Sequence, residues 1–310
     1  MKGLELSVKF YEEYGKKMLR DEFADVLPYI AVGLCGQGSE CMGFDDDVSR
    51  DHDFEPGFMI FLPGEDKVDR RRAFLLERAY TALPKEFCGV KRLSQNPVGG
   101  ARHGVFRTAE YFLNTIGTEN GELPAQQWLL IPGYILCEAT NGEIFEDNFG
   151  EVTKIREKLL NMPEDIIKKR LAGRLIAMAQ AGQYNYKRCL LHGEAGAAQI
   201  SIFEFAKAAM DAVFILNRRY MPFYKWQFRA LRQLPVLGNL ADDLEALILA
   251  DNSKENAEKK EAQTETVCAA ISKEIAKQGI AAETRNMEQL AYAVNDGIKD
   301  SNIRSMSIFC

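Results

Sequence analysis

The sequence predicts an α+β protein in which a small mixed β-sheet flanked by helices is followed by an α-helical bundle. Two apolar runs of strand length, Tyr29 to Cys35 and Phe58 to Leu62, are each closed by a glycine- or proline-bearing turn. From Val152 onward apolar residues recur at helical spacing and almost no strand signal remains. The 310 residues are enough for two domains of ordinary size, placed at residues 1–150 and 151–310.

Each element follows from its local pattern. Leu4 to Leu19 carries apolar or aromatic residues at 4, 6, 8, 10, 11, 14 and 18 with charges interleaved, which is an amphipathic helix. The first strand, Tyr29 to Cys35, ends in a turn containing Gly36 and Gly38, and the second, Phe58 to Leu62, stops at Pro63-Gly64. Asp66 to Leu83 is charged at first, then periodic, and reads as a helix ending at Pro84. Gly89 to Gly104 reads as a loop, and Val105 to Ile116 as a short strand running into a helix from Glu110. Trp128 to Cys137 and Ile144-Phe145 are expected to complete the same α/β unit. The second half predicts five or six helices, among them Ala195 to Leu216, Leu240 to Ala250, Ala262 to Lys277 and Met287 to Ile298. Asp251 to Lys260 is charged and poorly periodic, and is expected to be a solvated link.

Composition excludes several classes. A hydrophobic fraction of 46 % and a mean hydropathy of −0.23 describe a chain that can build a core. The sequence has no run of 18 apolar residues and no signal-peptide pattern at Met1 to Leu6, so the expectation is a cytoplasmic protein without a membrane partner. The seven cysteines are scattered without a Cys-x-x-Cys pair, and are expected to be mostly buried thiols. A net charge of −6 argues against bulk nucleic-acid binding while leaving room for a local phosphate pocket.

The chemistry concentrates around the first turn. Gly36-Gln37-Gly38-Ser39 leaves a strand and can offer backbone N–H groups to phosphate. Asp51-His52-Asp53 follows, and carboxylates two residues apart on an extended segment share a side, so Asp51 and Asp53 can hold Mg²⁺ together. Strand, glycine turn, paired acids and second strand, in that order, point to a metal-dependent nucleotidyltransferase. Asp45-Asp46-Asp47 lies between the two motifs and reads as a solvated turn, since three consecutive acids diverge and repel. Arg50 either reaches phosphate or balances this acidic loop. His52 would face away from the paired acids, and no Gly-x-Ser-x-Gly elbow supports hydrolase chemistry.

These residues resemble the polymerase-β-like nucleotidyltransferase superfamily, whose signature is an apolar strand, Gly-Ser, about a dozen residues and Asp-x-Asp. Gly38-Ser39-Glu40, Gly43 to Asp46 and Val48 to Asp53 look most like an uncharacterised bacterial family of unknown function in that clan. The likeness continues through Ile144 to Gly150 and Arg219 to Trp226. It implies phosphate binding at Gly38 and Ser39, metal ligands at Asp51 and Asp53, and a helical half similar to the C-terminal bundles of aminoglycoside nucleotidyltransferases. The implied reaction moves a nucleoside monophosphate, by default AMP from ATP, to a hydroxyl acceptor with Mg²⁺ as cofactor.

Two departures stand out. Glu55-Pro56-Gly57 interrupts the approach to the second strand. The third carboxylate, usually on a later strand and commonly the general base, is not evident: Val105 to Thr108 carries no acid, and Glu138 is chosen over Glu110 and Glu143. Lys225, in the aromatic cluster Tyr220 to Trp226, either belongs to a packed helix corner or reaches the triphosphate. The competing readings are a nucleotide-binding sensor of the same fold and a toxin–antitoxin-type enzyme acting on a protein or tRNA.

Overall fold

The computed structural model describes residues 1–50, 54–92 and 102–309. The fold is α+β; among the described residues it has one four-stranded mixed sheet and one two-stranded hairpin, with helices making up most of the rest. The chain forms two compact units that interleave in sequence. The first comprises Met1–Leu123 and Ile135–Asn161, the second Pro124–Tyr134 and Met162–Cys310. No single cut after residue 150 separates them: helix Glu151–Leu160 belongs to the first unit and the segment 124–134 to the second.

In the first unit the main sheet consists of β1 (Ala31–Leu34), β2 (Met59–Leu62), β5 (Gly104–Arg107) and β6 (Glu143–Asp147) in the order β5-β2-β1-β6. In the hairpin, β3 (Glu86–Phe87) precedes the stretch expected to be a loop and β4 (Val90–Lys91) falls at its start. β1 runs antiparallel to β2 and β6, whereas β5 runs parallel to β2. This arrangement gathers four chain ends at one edge of the sheet: Gly33 pairs with Met59, Met59 with Gly104, and Leu34 with Glu143. The exit of β1, the entries of β2 and β5, and the start of β6 therefore meet there.

β1 and β2 are buried along their whole length, which is why both read as continuous apolar runs instead of alternating ones. The N-terminal helical stretch, Gly3–Phe10 followed by a wide turn at Tyr11–Gly15 and Lys16–Glu22, packs Leu6, Phe10 and Leu19 into a core with Val32, Phe58, Ile60 and Leu76. Phe58 meets the rings of Tyr11 and Tyr80 edge-on at 5.2 and 5.1 Å. Each such buried ring stabilises the unit by roughly 1.5–3 kcal/mol. The helix Arg70–Ala82 is capped by Asp69, whose carboxylate accepts the Arg72 N–H at 2.8 Å.

Three expectations for these regions are corrected. Trp128 to Cys137, whose structured parts are the helices Ala125–Leu130 and Gly133–Thr140, does not lie wholly in the α/β unit: its residues up to Tyr134 belong to the helical one. The acidic run is not uniformly solvated. Asp45 is 4 % exposed and accepts the Gly3 N–H at 2.8 Å, so it caps the first helix, while Asp46 stays outside and accepts the N–H groups of Val48 and Ser49. The charged segment after Asp251 is no loop either: helix Lys254–Lys277 begins inside it. Lys260 is buried there, donating to Gln199 Oε1 and Asn252 Oδ1 at 2.8 and 3.0 Å.

The second unit is all helical. The 22-residue helix Ala195–Leu216 runs through its core and packs on Glu164–Met178, Tyr186–Leu191, Leu240–Leu249 and Lys254–Lys277. Leu171, Leu175, Phe205, Val213, Leu244, Ile271 and Leu290 form its interior. No helix among the described residues is long and apolar enough to cross a membrane. Of the cysteines, 35, 41 and 268 are buried, 137 and 189 half-buried and 88 exposed, all as free thiols.

Candidate functional site

The glycine turn leaves β1 at the shared edge of the sheet. Gly36 and Gly38 hold φ of +102° and +127°, a region closed to side-chain-bearing residues without strain. A Cβ at Gly38 would lie 2.3 Å from Glu40 Oε1, a side-chain end that can turn away, so the positive φ is what calls for glycine there. Ser39 then opens the short 3₁₀ turn Glu40–Met42, its carbonyl accepting the N–H groups of Met42 and Phe44 at 3.1 and 2.8 Å. Among the described residues, the N–H groups of Gln37, Gly38 and Ser39 donate to no acceptor. Successive unbonded N–H groups in a turn of this kind form an anion-binding concavity.

A cleft of about 770 Å³ adjoins the turn within the first unit. Cys35, Gly36 and Gln37 line it, with Phe74, Arg102, Arg107, Glu110 and Glu138. Gly38 and Ser39 are not among its lining residues. Charged side chains surround the Glu40 carboxyl: Arg102 and His103 act on it, and His103 Nδ1 lies 3.1 Å from Glu55 Oε1. Burial pushes the Glu40 carboxyl above its ordinary value, against the pull of its own backbone N–H and of the His103 and Arg102 charges. A carboxyl that takes up its proton more readily repels a nearby phosphate less.

Glu138 comes to the turn, although not from a strand. It sits on helix Gly133–Thr140 and lines the cleft together with Gln37. Burial raises its carboxyl pKa, with the Gln37 side chain and the Arg102 charge acting in the opposite sense. The expected position of a third carboxylate, on a later strand, is occupied in β5 by Gly104-Val-Phe-Arg107 with no acid. Glu110 follows on helix Thr108–Ile116, and Glu143 opens β6 with its side chain exposed.

The remaining expected residues divide as follows. Asp51 and Asp53, with His52 between them, lie outside the described residues. Arg50 ends the 3₁₀ turn Val48–Arg50. Lys225 belongs to the helical unit, where its ammonium lies 5.6 Å from the centre of the Trp226 ring and the neighbouring Phe223 and Tyr224 rings are exposed. Among the described residues no group of three or more His, Cys, Asp or Glu side chains could hold a metal ion.

Several residues at the site carry no motif in the sequence. Asn141 bonds both backbone groups of Gly36, Arg156 bonds the carbonyls of Thr140 and Asn141, and Arg102 lines the same cleft as the turn and Glu138. The Asn141-Gly142 pair just ahead of a strand was a readable turn signal, but nothing local tied it to a glycine turn 105 positions earlier.

Comparison with known proteins gives three findings. A family model described as "Domain of unknown function (DUF4037)" matches residues 128–227, a stretch that includes Glu138, Asn141, β6 and Lys225. No curated protein matches the chain. Among solved structures, the chain is similar to a nucleotidyltransferase-like protein from Exiguobacterium sibiricum 255-15, at 8 % identity and a TM-score of 0.36, over 88 % of this chain and 78 % of that one.

Proposed function

We propose that the protein is a nucleotidyltransferase that moves a nucleoside monophosphate from a nucleoside triphosphate, by default ATP, to a hydroxyl acceptor. The observation that carries this reading is the Gly36–Ser39 turn: three successive N–H groups without an acceptor among the described residues stand beside a large cleft that also holds a half-buried carboxylate. The order of motifs in the sequence supports it, because Asp51-x-Asp53 lies between this turn and β2.

In this reading the N–H groups of Gln37, Gly38 and Ser39 receive the β- and γ-phosphate oxygens, and Arg102 adds positive charge at the cleft end of the turn. A divalent cation would rest on Asp51 and Asp53, whose hard oxygen donors suit Mg²⁺, and when bound it neutralises charge on the phosphates. Glu138, once ionised above its raised pKa, accepts the proton of the acceptor hydroxyl. The hydroxyl oxygen bonds to the α-phosphorus, the bond from that phosphorus to the β-phosphate oxygen breaks, and pyrophosphate leaves.

The test is pyrophosphate release from labelled ATP, GTP, CTP or UTP with Mg²⁺, in the presence of a metabolite pool or a protein pool. Release should occur with the wild-type chain and fall to background in the Asp51→Ala/Asp53→Ala variant. Release no greater than that variant's, with every nucleotide and pool, rejects the transferase. One observation favours a second reading, a nucleotide-binding sensor: β5 carries no acid. Calorimetric nucleotide binding without turnover selects the sensor.

A further inference from the structure

The turn is gripped from outside by two consecutive residues. At Gly36 the N–H donates to Asn141 Oδ1 at 2.8 Å, and Asn141 Nδ2 donates back to the Gly36 carbonyl at 2.9 Å. A carboxamide presents a donor and an acceptor in one plane, so it can satisfy both backbone groups of a single residue, which a carboxylate cannot do. The next residue holds the far end of the turn, Gly142 N–H donating to the Cys41 carbonyl at 2.8 Å. The unbonded N–H groups of Gln37, Gly38 and Ser39 fall between these two grips.

Asn141 is itself fixed in place. Its N–H donates to the Cys137 carbonyl at 2.8 Å. The Arg156 guanidinium forks over the helix end, Nη1 to the Asn141 carbonyl and Nη2 to the Thr140 carbonyl, both at 2.8 Å. A cation on the last carbonyls of a helix is favourable in charge as well as geometry. The result is a chain of direct bonds from Arg156 through Asn141 to the turn, carried by the same segment that brings Glu138 to Gln37.

We infer that Asn141 is a positioning residue for nucleotide binding: it satisfies both backbone groups of Gly36 and thereby fixes the turn in the conformation whose unbonded N–H groups take the triphosphate, with Arg156 holding Asn141 in register. The inference rests on the transferase reading above. A glycine turn without this clamp samples many conformations, and the ordering cost falls on the ligand when it binds.

The experiment compares Asn141→Ala, Asn141→Asp and Arg156→Lys with the wild type, using Thr140→Val as a control. Asp keeps the size and one acceptor but sets an anionic oxygen against the Gly36 carbonyl. Lys at 156 keeps the charge and loses the fork. Thr140→Val removes a bond within the same helix, Oγ1 to the Leu136 carbonyl at 2.6 Å, and leaves the turn untouched. The readouts are thermal midpoint, the calorimetric Kd for ATP with Mg²⁺, and KM and kcat for the nucleotide.

Two lost hydrogen bonds in Asn141→Ala, and one lost bond with an anionic oxygen set against the Gly36 carbonyl in Asn141→Asp, should each raise Kd and KM by roughly 10- to 100-fold. Their kcat should change much less, Arg156→Lys should show a smaller rise in Kd, and Thr140→Val should lower the midpoint with Kd unchanged. A purely structural role would lower the midpoint and kcat while Kd and KM stayed at wild-type values in the Asn141 variants, and that result overturns the inference. Should the Asn141 variants not fold, an unchanged Kd in Arg156→Lys overturns it equally. A wild-type chain that binds no nucleoside triphosphate rejects the transferase reading itself, and the inference falls with it. Tight wild-type binding that survives every substitution rejects the positioning role alone.

Discussion

Replacing Gly142 by alanine probes the backbone crossing that closes the site. Gly142 has φ of +64°, and a Cβ there would lie 2.0 Å from the Leu34 carbonyl oxygen and 2.8 Å from Cys35 Cα. Both obstacles are main chain at the end of β1, so no side-chain rotation can relieve them. Gly117, in the same unit, has a similar φ of +78° with nothing within 4 Å of a Cβ. The two substitutions therefore share the left-handed backbone cost of roughly 1–2 kcal/mol. Gly142→Ala adds forced separation of β1 from the turn, about 1–3 kcal/mol as for overpacking. It also strains the Gly142 N–H bond to Cys41, a further ~1 kcal/mol.

The expected difference between the variants is about 2–4 kcal/mol, or a factor of roughly 30 to 1,000 in the open population. Thiol labelling under native conditions reads this directly, because Cys35 and Cys41 are buried beside the crossing and Cys268 is buried in the other unit. Gly142→Ala should accelerate labelling of Cys35 and Cys41 by at least about 30-fold over Gly117→Ala, with Cys268 unchanged. Equal labelling of Cys35 and Cys41 in the two variants would refute the steric argument.

Two further predictions concern buried charge. The Glu138 carboxyl has its pKa raised by burial, so the folded state holds that proton more tightly than the unfolded chain, and stability from this group falls as pH rises from the ordinary 4.5 through the raised value. Glu138→Gln should therefore raise the denaturation midpoint at neutral pH, lose that advantage below the ordinary pKa, and abolish transfer; a midpoint gain that is the same at pH 4 and pH 7 rejects the burial argument. Lys169 is fully buried on helix Glu164–Met178 and donates to Asn295 Oδ1, the Arg304 carbonyl and the Met306 carbonyl at 2.8, 3.1 and 2.6 Å. Lys169→Met keeps the volume but removes the donor these acceptors share, about 1 kcal/mol for each lost bond, so limited proteolysis should trim the chain after Asp296 sooner than in the wild type, and unchanged trimming would show that the lysine does not anchor the tail.

Local pattern carried much of the architecture. β1 and β2 were legible because strands buried on both faces need continuous apolar runs, and Ala195–Leu216 because its 22 residues keep helical spacing throughout. The glycine turn was legible because φ of +102° and +127° leaves little choice of residue. Local pattern failed where a charged residue finds its partner far away. Asp45 looked like part of a solvated run, but it accepts the N–H of Gly3 at the start of the first helix. Lys260 looked like part of a linker, yet Gln199 and Asn252 satisfy it inside the helical core.

By itself the sequence determined the order of the parts: a strand, a glycine turn with Ser39, paired acids at Asp51 and Asp53, a second strand, then helices. Order is read directly from the chain, and the two strands, the glycine turn and the helices each state their own conformation within a few residues. Only the tertiary structure decided what stands around the turn. Glu138 arrives on a helix, Asn141 clamps Gly36 across 105 positions, and β5 brings Arg102 and His103 to the same edge through parallel pairing with β2. Those meetings depend on strand register and on hydrogen bonds between distant backbone groups, and neither leaves a periodicity in the chain to read.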